Sequence, residues 1–382
     1  MINQTEQTLY RLANLNAEQT RVTYQTSTGK ILDKGSDDST LYSREILVDD
    51  RIRTYEGIKF QIERTTAQND SSDSSIAEIK KLFEVVKTEL IKANTDTTSD
   101  EGKTAIALNI EGMKENIFTL ANGQLEDEYL FAGSDSSIKP FSQDANGKVT
   151  YNGDNSARKI SVDDGTYRER GVNGYDVMTY PASTATMGQS LNFKASDTII
   201  DEDGSIWKLN GTSTAIEKYD DEDNLVTPIE SKMIDSDDGL TPPTYQIDDI
   251  GLVAGTKFEA RTSIFDLMDD MINTLNKVDS SGSPISDAER DSKLNEVQDS
   301  FLDAYDSLNV AHSKLGAINK MFEVSLERVS SKLTQYNILS QEVGAADLTK
   351  LALESKSLEL TYTALYSTIQ KTNELSLANF LR

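Results

Sequence analysis

The sequence predicts an α+β protein: a long antiparallel helical bundle or coiled coil built from both chain ends, with an inserted β-rich middle domain. Two observations support this fold class. Apolar residues recur at helical spacing toward both ends, and all six prolines fall between Pro140 and Pro284. Because proline ends helices and favours turns, the helical and turn-rich regions are separated along the chain. Helices that go out and return in this way can pack side by side in opposite directions.

The first helix is predicted from a weak stripe that keeps alternating steps of three and four residues. Half of its members are polar, so such a helix is not stable alone. The stripe consists of Ile2, Thr5, Leu9, Leu12, Asn16, Gln19, Thr23 and Thr26. We expect the helix to stop at Gly29, and the next helix to be capped by Ser36 or Asp37.

Two stronger stripes follow, separated by the Thr/Asp/Ser/Gly connection 95–102, where Ser99 or Asp100 is a plausible helix cap. The first is Ile76, Ile79, Phe83, Val86, Leu90 and Ala93, and it extends back to Ile62 and Ile58 through the more polar Asn69 and Ser72. The second is Ile106, Ile110, Met113, Ile117 and Leu120. Helices with one apolar face need partners, so these stripes are predicted to close a common core.

From Glu128 onward the pattern changes to short strand-like runs separated by Gly, Asn and Asp turns. The strand candidates are 129–131, 148–151, 159–162, 206–209 and 215–219. Segment 180–250 also carries acidic clusters, at 201–203, 220–223 and 235–238. None has the glycine and terminal glutamate of an EF-hand loop, so solvated loops are favoured over calcium sites.

The most regular pattern lies in the last third of the chain. After a Ser-Gly-Pro turn we expect a helix from Asp287 whose apolar residues alternate by three and four without interruption, as in a heptad seam. These residues are Leu294, Val297, Phe301, Ala304, Leu308, Ala311, Leu315, Ile318 and Phe322.

A final helix is predicted from Leu358, Tyr362, Leu365 and Ile369, and it finishes in an apolar cluster of Leu375, Leu377, Phe380 and Leu381. These side chains need cover, either from the other terminal helix or from another subunit. We expect three domains: a terminal coiled-coil layer of 1–35 with 345–382, a helical bundle of 36–135 with 257–344, and an outer β-rich domain of 136–256. Within the outer domain, the acidic segment 180–250 carries no motif that we can assign.

Composition excludes several functions. The chain has 38 basic and 64 acidic residues, a formal charge of −26, which opposes binding to nucleic acid or to anionic membranes. It has no cysteine and one histidine, His312, and it lacks a Gly-rich phosphate loop. We therefore predict no enzyme activity, no catalytic or metal site and no cofactor. Residues 1–28 lack the pattern of a cleaved secretory signal, and no run of about 20 apolar residues is present.

Several motifs, in order, resemble a known family. They are Thr28 to Leu32, Lys34 to Ser39, the run Glu128 to Ser134 with Asn122 to Gln124, Pro140-Phe141, Tyr151 to Asp154, and the segment from Lys356 to Leu381. The first two resemble the amino-terminal signature of the flagellin superfamily, with Gly29, Ser36, Asp37 and Asp38 as its loop. The set as a whole resembles the hook-filament junction family within that superfamily, and it covers most of 1–178 and 257–382.

The resemblance implies a structural subunit of the bacterial flagellum that self-assembles between hook and filament. It implies that residues 1–32 and 348–382 pair as an inner coiled-coil layer that orders fully only on assembly. The expected assembly residues are Ile2, Leu9, Leu12, Leu358, Leu365, Ile369, Leu375, Leu377, Phe380 and Leu381. It also implies unfolded export to the cell exterior without a cleaved signal, an export chaperone held at Leu358, Leu365 and Ile369, and contacts with adjacent hook-associated and filament proteins. Two alternatives remain open: a flagellin filament subunit and, less favoured, a stalked surface adhesin.

Overall fold

The computed structural model describes residues 2–95, 97–220, 224–237, 243–248 and 255–380, with side chains from residue 6 to residue 371. The helices are α1 (Ile2–Thr28), α2 (Ser39–Ala93), α3 (Asp100–Ala121), α4 (Gly174–Met178), α5 (Ile264–Leu275), α6 (Asp287–Gly344) and α7 (Leu348–Phe380). The strands are β1 (Gln124–Leu125), β2 (Glu128–Tyr129), β3 (Phe141–Gln143), β4 (Val149–Tyr151), β5 (Lys159–Asp163), β6 (Thr166–Glu169), β7 (Thr179–Thr186), β8 (Leu191–Lys194), β9 (Thr198–Asp201), β10 (Ile206–Leu209), β11 (Ala215–Tyr219), β12 (Ser231–Met233), β13 (Ser236–Asp237), β14 (Thr244–Ile247) and β15 (Lys257–Ser263).

The predicted fold class is confirmed: along the chain, long helices precede and follow an antiparallel β-rich region. The chain divides into two compact units, which we call the terminal unit (Met1–Phe60 with Glu327–Arg382) and the central unit (Gln61–Leu326). The finer division into a terminal layer, a bundle and an outer domain stays a prediction.

The core of the central unit is built from the predicted stripes. All nine members of the α6 seam are buried, and so are all six of the α2 stripe from Ile76 to Ala93. The two helices run antiparallel: Phe83 stacks on Phe301 with ring centroids 5.2 Å apart, while Asn94 near the end of α2 contacts Gln298 near the start of α6. Helix α3 closes the core together with α5, where Phe118 meets Phe265. Ser99 caps α3 by accepting a hydrogen bond from the amide of Gly102.

The polar part of the α2 stripe contacts the loops that follow α3. Gln68 donates to Glu128 and accepts from Arg170, and Arg170 also pairs with Glu128 at 3.0 Å. Arg64 reaches the same carboxylate from the solvent side. Burial opposes ionisation of Glu128, but the hydrogen bonds from Gln68 and Arg170 outweigh it, so the pKa of Glu128 is lowered. The break in the apolar stripe is therefore where Gln68 joins α2 to a half-buried ion pair in the following segments.

The passage from α3 into the strands differs in one respect from the prediction. The expected strand 129–131 ends at Tyr129, and Phe131 lies fully buried in the helical core. The hydroxyl of Tyr151 donates to the carbonyl oxygens of Phe131 and Asp154, which places the two motifs against each other. Gly133 has φ +93°, and a Cβ there would lie 2.6 Å from the Asp154 carbonyl oxygen. The turn therefore requires glycine.

The β region is antiparallel throughout the part of the chain that the structure describes. Its strands form a six-stranded sheet, β12-β11-β10-β9-β15-β7, a three-stranded sheet, β13-β14-β8, and three two-stranded hairpins. Trp207 packs on Phe258 in the core between these strands, as expected for a strand tryptophan. Its indole nitrogen donates to Asp201, which also accepts from the amides of Asp203 and Ser205. The acidic cluster 201–203 therefore stabilises the turn between β9 and β10.

One carboxyl group in the central unit is perturbed. Asp266, in the first turn of α5, lies half-buried, and burial together with Asp269 and Asp270 raises its pKa to about 6 although Lys148 opposes the shift. No hydrogen bond is assigned to it within the described residues.

Candidate assembly site

The junction between α1 and α2 holds the two chain ends together. Gly29, with φ +71°, ends α1 and its carbonyl accepts from the amide of Ala346, while the amide of Ile31 donates to Gly344. The two segments thus form a short antiparallel bridge at Lys30 and Ala345. Lys30 also pairs with Glu45 at 3.2 Å, and this hydrogen bond raises the pKa of Lys30. Gly29, which was predicted to end α1, therefore also turns the chain so that residues 30 and 31 can pair with the end of α6.

The helix cap in this loop differs from the prediction. Asp38, and neither Ser36 nor Asp37, caps α2 by accepting from the amides of Thr40 and Leu41. Asp37 instead closes the loop itself by accepting from the amides of Asp33 and Lys34. Which aspartate caps the helix depends on where α2 begins, because only the residue immediately before the first turn can reach the free amides of that turn.

Helices α1 and α7 pack against each other in antiparallel order. In the last two turns of α1, Val22 is buried against Leu351 and Leu358 of α7. Arg21 pairs with Glu354 at 3.0 Å, and farther toward the start of α1 the Tyr362 hydroxyl contacts Asn16 at 2.5 Å. At the start of α7, Asp347 caps the helix through the amides of Thr349 and Lys350. The ends of the chain thus pair with each other.

The face of α1 that contacts α7 lies beside the stripe predicted from sequence. Among the described side chains of α1, the buried or half-buried ones are Thr8, Leu12, Leu15, Gln19, Val22, Tyr24 and Gln25. Leu12 and Gln19 belong to the predicted stripe, whereas its members Leu9, Asn16, Thr23 and Thr26 are exposed. The stripe was wrong at these four positions because several starting points satisfy a three-four spacing in a largely polar helix, and the packing of Val22 fixes the rotation.

The predicted α7 stripe does face α1. Leu358 is buried, and Tyr362, Leu365 and Ile369 are half-buried. Leu351, which the prediction missed, lies one heptad before Leu358 and is buried as well. The side chains of Ile2, Leu375, Leu377 and Phe380 and the whole of Leu381 lie outside the described residues.

A second apolar face, on α7, remains open to solvent. Leu353 is 71% exposed and Leu360, seven residues later on the same side of the helix, is 63% exposed. We call these two residues the outer apolar face. Tyr366 of α7 and Leu9 and Tyr10 of α1 are also exposed, but they do not share that side of α7. Large apolar side chains that share an exposed face are typical of a surface that contacts another protein.

Among the residues that the structure describes, no group of three or more His, Asp or Glu side chains is arranged to hold a metal ion. His312, on the flank of the α6 seam, contacts Asp73 at 2.9 Å and Lys80 at 3.4 Å across the helix pair. Among the described helices, none is long and apolar enough to cross a bilayer.

Long helices before and after a β-rich region along the chain are also the architecture of solved flagellar hook-associated protein structures. The structure aligns with the crystal structure of flagellar hook-associated protein 3 from Legionella pneumophila with a TM-score of 0.52 at 18% identity, covering 78% of this chain and 98% of that one. In sequence, the chain is similar to flagellar hook-associated protein 3 of Salmonella typhimurium, with 24% identity over 183 residues, 47% of this chain and 56% of the relative. The same protein of Escherichia coli is 26% identical over 161 residues, 41% of this chain and 49% of the relative.

These alignments span about half the length of the curated relatives. No family model matches the chain. The family resemblance seen in the motifs is thus confirmed by relatives named flagellar hook-associated protein 3 and by the fold, at modest sequence identity.

Proposed function

We propose that this chain is a structural subunit of the bacterial flagellum that self-assembles as the junction between hook and filament. The observation that carries the proposal is the α1–α7 pair, which buries one apolar face internally and leaves a second one exposed. The relatives of similar sequence, which are flagellar hook-associated proteins, support the same role.

In this role the helix pair acts as the assembly element. Only Val22, Leu351 and Leu358 form its buried apolar cluster within the described residues, although α1 has 27 residues and α7 has 33. Ordering a backbone costs roughly 1–2 kcal/mol per residue, so helices with so few buried contacts gain much of their order from neighbours. Burial of the outer apolar face between subunits then drives assembly, and ordering entropy opposes premature association.

The remaining partners follow from the same role. The subunit contacts adjacent hook-associated and filament proteins, acts outside the cell, and leaves the cell by flagellar export. An export chaperone covers the α7 face containing Leu358, Leu365 and Ile369 until assembly, in the manner of an amphipathic helix in a groove. Both roles of this face are compatible because α1 and the chaperone use it at different times.

The test is a double substitution, Leu365→Asp with Ile369→Asp, in cells whose flagella are examined by immunogold labelling. We expect the variant to be absent from flagella while the central unit, followed in the purified full-length variant, keeps the wild-type unfolding transition. A variant that still labels flagella normally contradicts the proposal. Copy number separates the junction from the filament: a few labelled subunits at the hook end indicate a junction protein, whereas labelling along the filament indicates a flagellin.

A further inference from the structure

Helix α6 carries a second stripe beside its buried seam, and this stripe faces solvent. Its first four members each precede a seam residue by one position, and the fifth continues the three-four spacing, which places them about 100° around the helix from the core. They are Val310, Lys314, Ala317, Met321 and Val324. Val310 is 69% exposed, Met321 45% and Val324 54%. Within the central unit this stripe has no apolar cover along most of its length.

The β5–β6 hairpin stands beside the stripe and makes a groove of about 420 Å³ with it. The apolar lining comes from Tyr167, Ile318 and Met321, and the cations are Lys159, Arg168 and Lys314 against one acid, Glu169. Lys314 is engaged by Asp176 at 2.6 Å, whereas no ion pair is assigned to Lys159 or Arg168 in the described ranges. A basic, apolar groove on a chain of charge −26 is complementary to much of that chain's own surface.

One other surface of the central unit has the matching properties. The outer face of α3 carries Glu101, Ala105, Leu108, Gly112 and Glu115 at three-four spacing, all exposed, with Glu111 beside them. Leu108 is 68% exposed, and the space around Gly112 is open, so another helix can approach closely there. This face therefore offers one large apolar side chain, small residues next to it and three carboxylates.

We propose that the groove between α6 and the β5–β6 hairpin binds the outer face of α3 from a second copy of this chain. Leu108 enters beside Met321, and Glu111 and Glu115 meet Lys159 and Arg168. The two surfaces differ, so the contact is heterologous and repeats from copy to copy without closing a dimer. The inference rests on the proposed self-assembly and adds a second contact, in the central unit, to the one made by the terminal helices.

Engineered disulfides test the contact directly, because the chain has no cysteine of its own. Full-length Met321→Cys protein is mixed with full-length Leu108→Cys protein, oxidised, and analysed for cross-linked pairs. We expect at least tenfold more product than from Met321→Cys mixed with Val85→Cys, whose side chain on α2 is 46% exposed but outside both surfaces. Equal yields for the two mixtures overturn the proposal.

Charge reversal provides the second readout. Lys159→Glu with Arg168→Glu is expected to raise the protein concentration needed for assembly at least tenfold, and adding Glu111→Lys with Glu115→Lys to the same chain is expected to restore it. Polymers that form normally from the first variant, or that are not rescued in the second, overturn the inference while leaving the proposed function intact. Wild-type protein that stays monomeric in sedimentation, together with no cross-link between the Met321→Cys and Leu108→Cys proteins, overturns both.

Discussion

Replacing Leu358 by alanine tests whether α1 and α7 stabilise each other through one small apolar cluster. Leu358 is 6% exposed and packs on Val22 and Leu351. Buried Leu→Ala substitutions cost about 2–5 kcal/mol, and we expect about 2 kcal/mol here because two paired helices can close around the lost volume. That energy corresponds to roughly 30-fold in the opening equilibrium. Hydrogen exchange followed by mass spectrometry should therefore show both α1 and α7 exchanging about 30-fold faster.

Leu353→Ala is the matched control, since it makes the same chemical change on the same helix. Leu353 is 71% exposed, so its loss should change the local stability by less than about 0.5 kcal/mol. Polymer formation should respond differently from local stability: Leu353→Ala should weaken polymer formation because Leu353 belongs to the outer apolar face. Equal exchange in the two variants, or faster exchange in α7 without α1, would refute the pairing argument.

Three further predictions concern the central unit. Gly133→Ala should destabilise it by roughly 3 kcal/mol in thermal unfolding, since backbone strain adds to a clash, whereas Gly165→Ala, at φ +71° in open space, should cost only about 1 kcal/mol. The raised pKa of Asp266, about 6 against 3.8, means that the folded state holds the proton more tightly, so stability should fall as pH rises from about 4 to 6. Asp266→Asn should flatten that part of a pH series of denaturant unfolding. Arg170→Ala should cost about 2 kcal/mol in the same assay because it removes a hydrogen-bonded cation from the half-buried Glu128 carboxylate, which keeps Gln68 and Arg64, while Arg64→Ala, 44% exposed, should cost under about 1 kcal/mol.

The helical part of the fold was predictable because its signal is redundant. Nine consecutive seam positions on α6 agree with one rotation of the helix, so an error at one of them cannot change the result. The same redundancy is missing in α1, where half of the stripe is polar and the predicted face was displaced by about one position. The strand at 129–131 was wrong for a related reason: a three-residue apolar run looks the same whether it lies in a sheet or enters a helical core, as Phe131 does.

The candidate assembly site was predicted in outline and decided in detail by packing. The α7 stripe and the glycine that ends α1 could be read from residue type and spacing. The sequence could not tell that the predicted stripe faces α1 while Leu353 and Leu360 stay exposed, because both sets recur at heptad spacing on the same helix.

The sequence by itself determined the order of helical and β regions, the apolar seams and the absence of cysteine chemistry, since each depends on local composition and periodicity. Only the tertiary structure decided which face is covered, which aspartate caps α2, and that Glu128 and Arg170 meet across the polar break in the α2 stripe. These features depend on contacts between residues far apart in the chain. The interaction energy of a side chain is set by the partner that it contacts, and local sequence does not specify that partner.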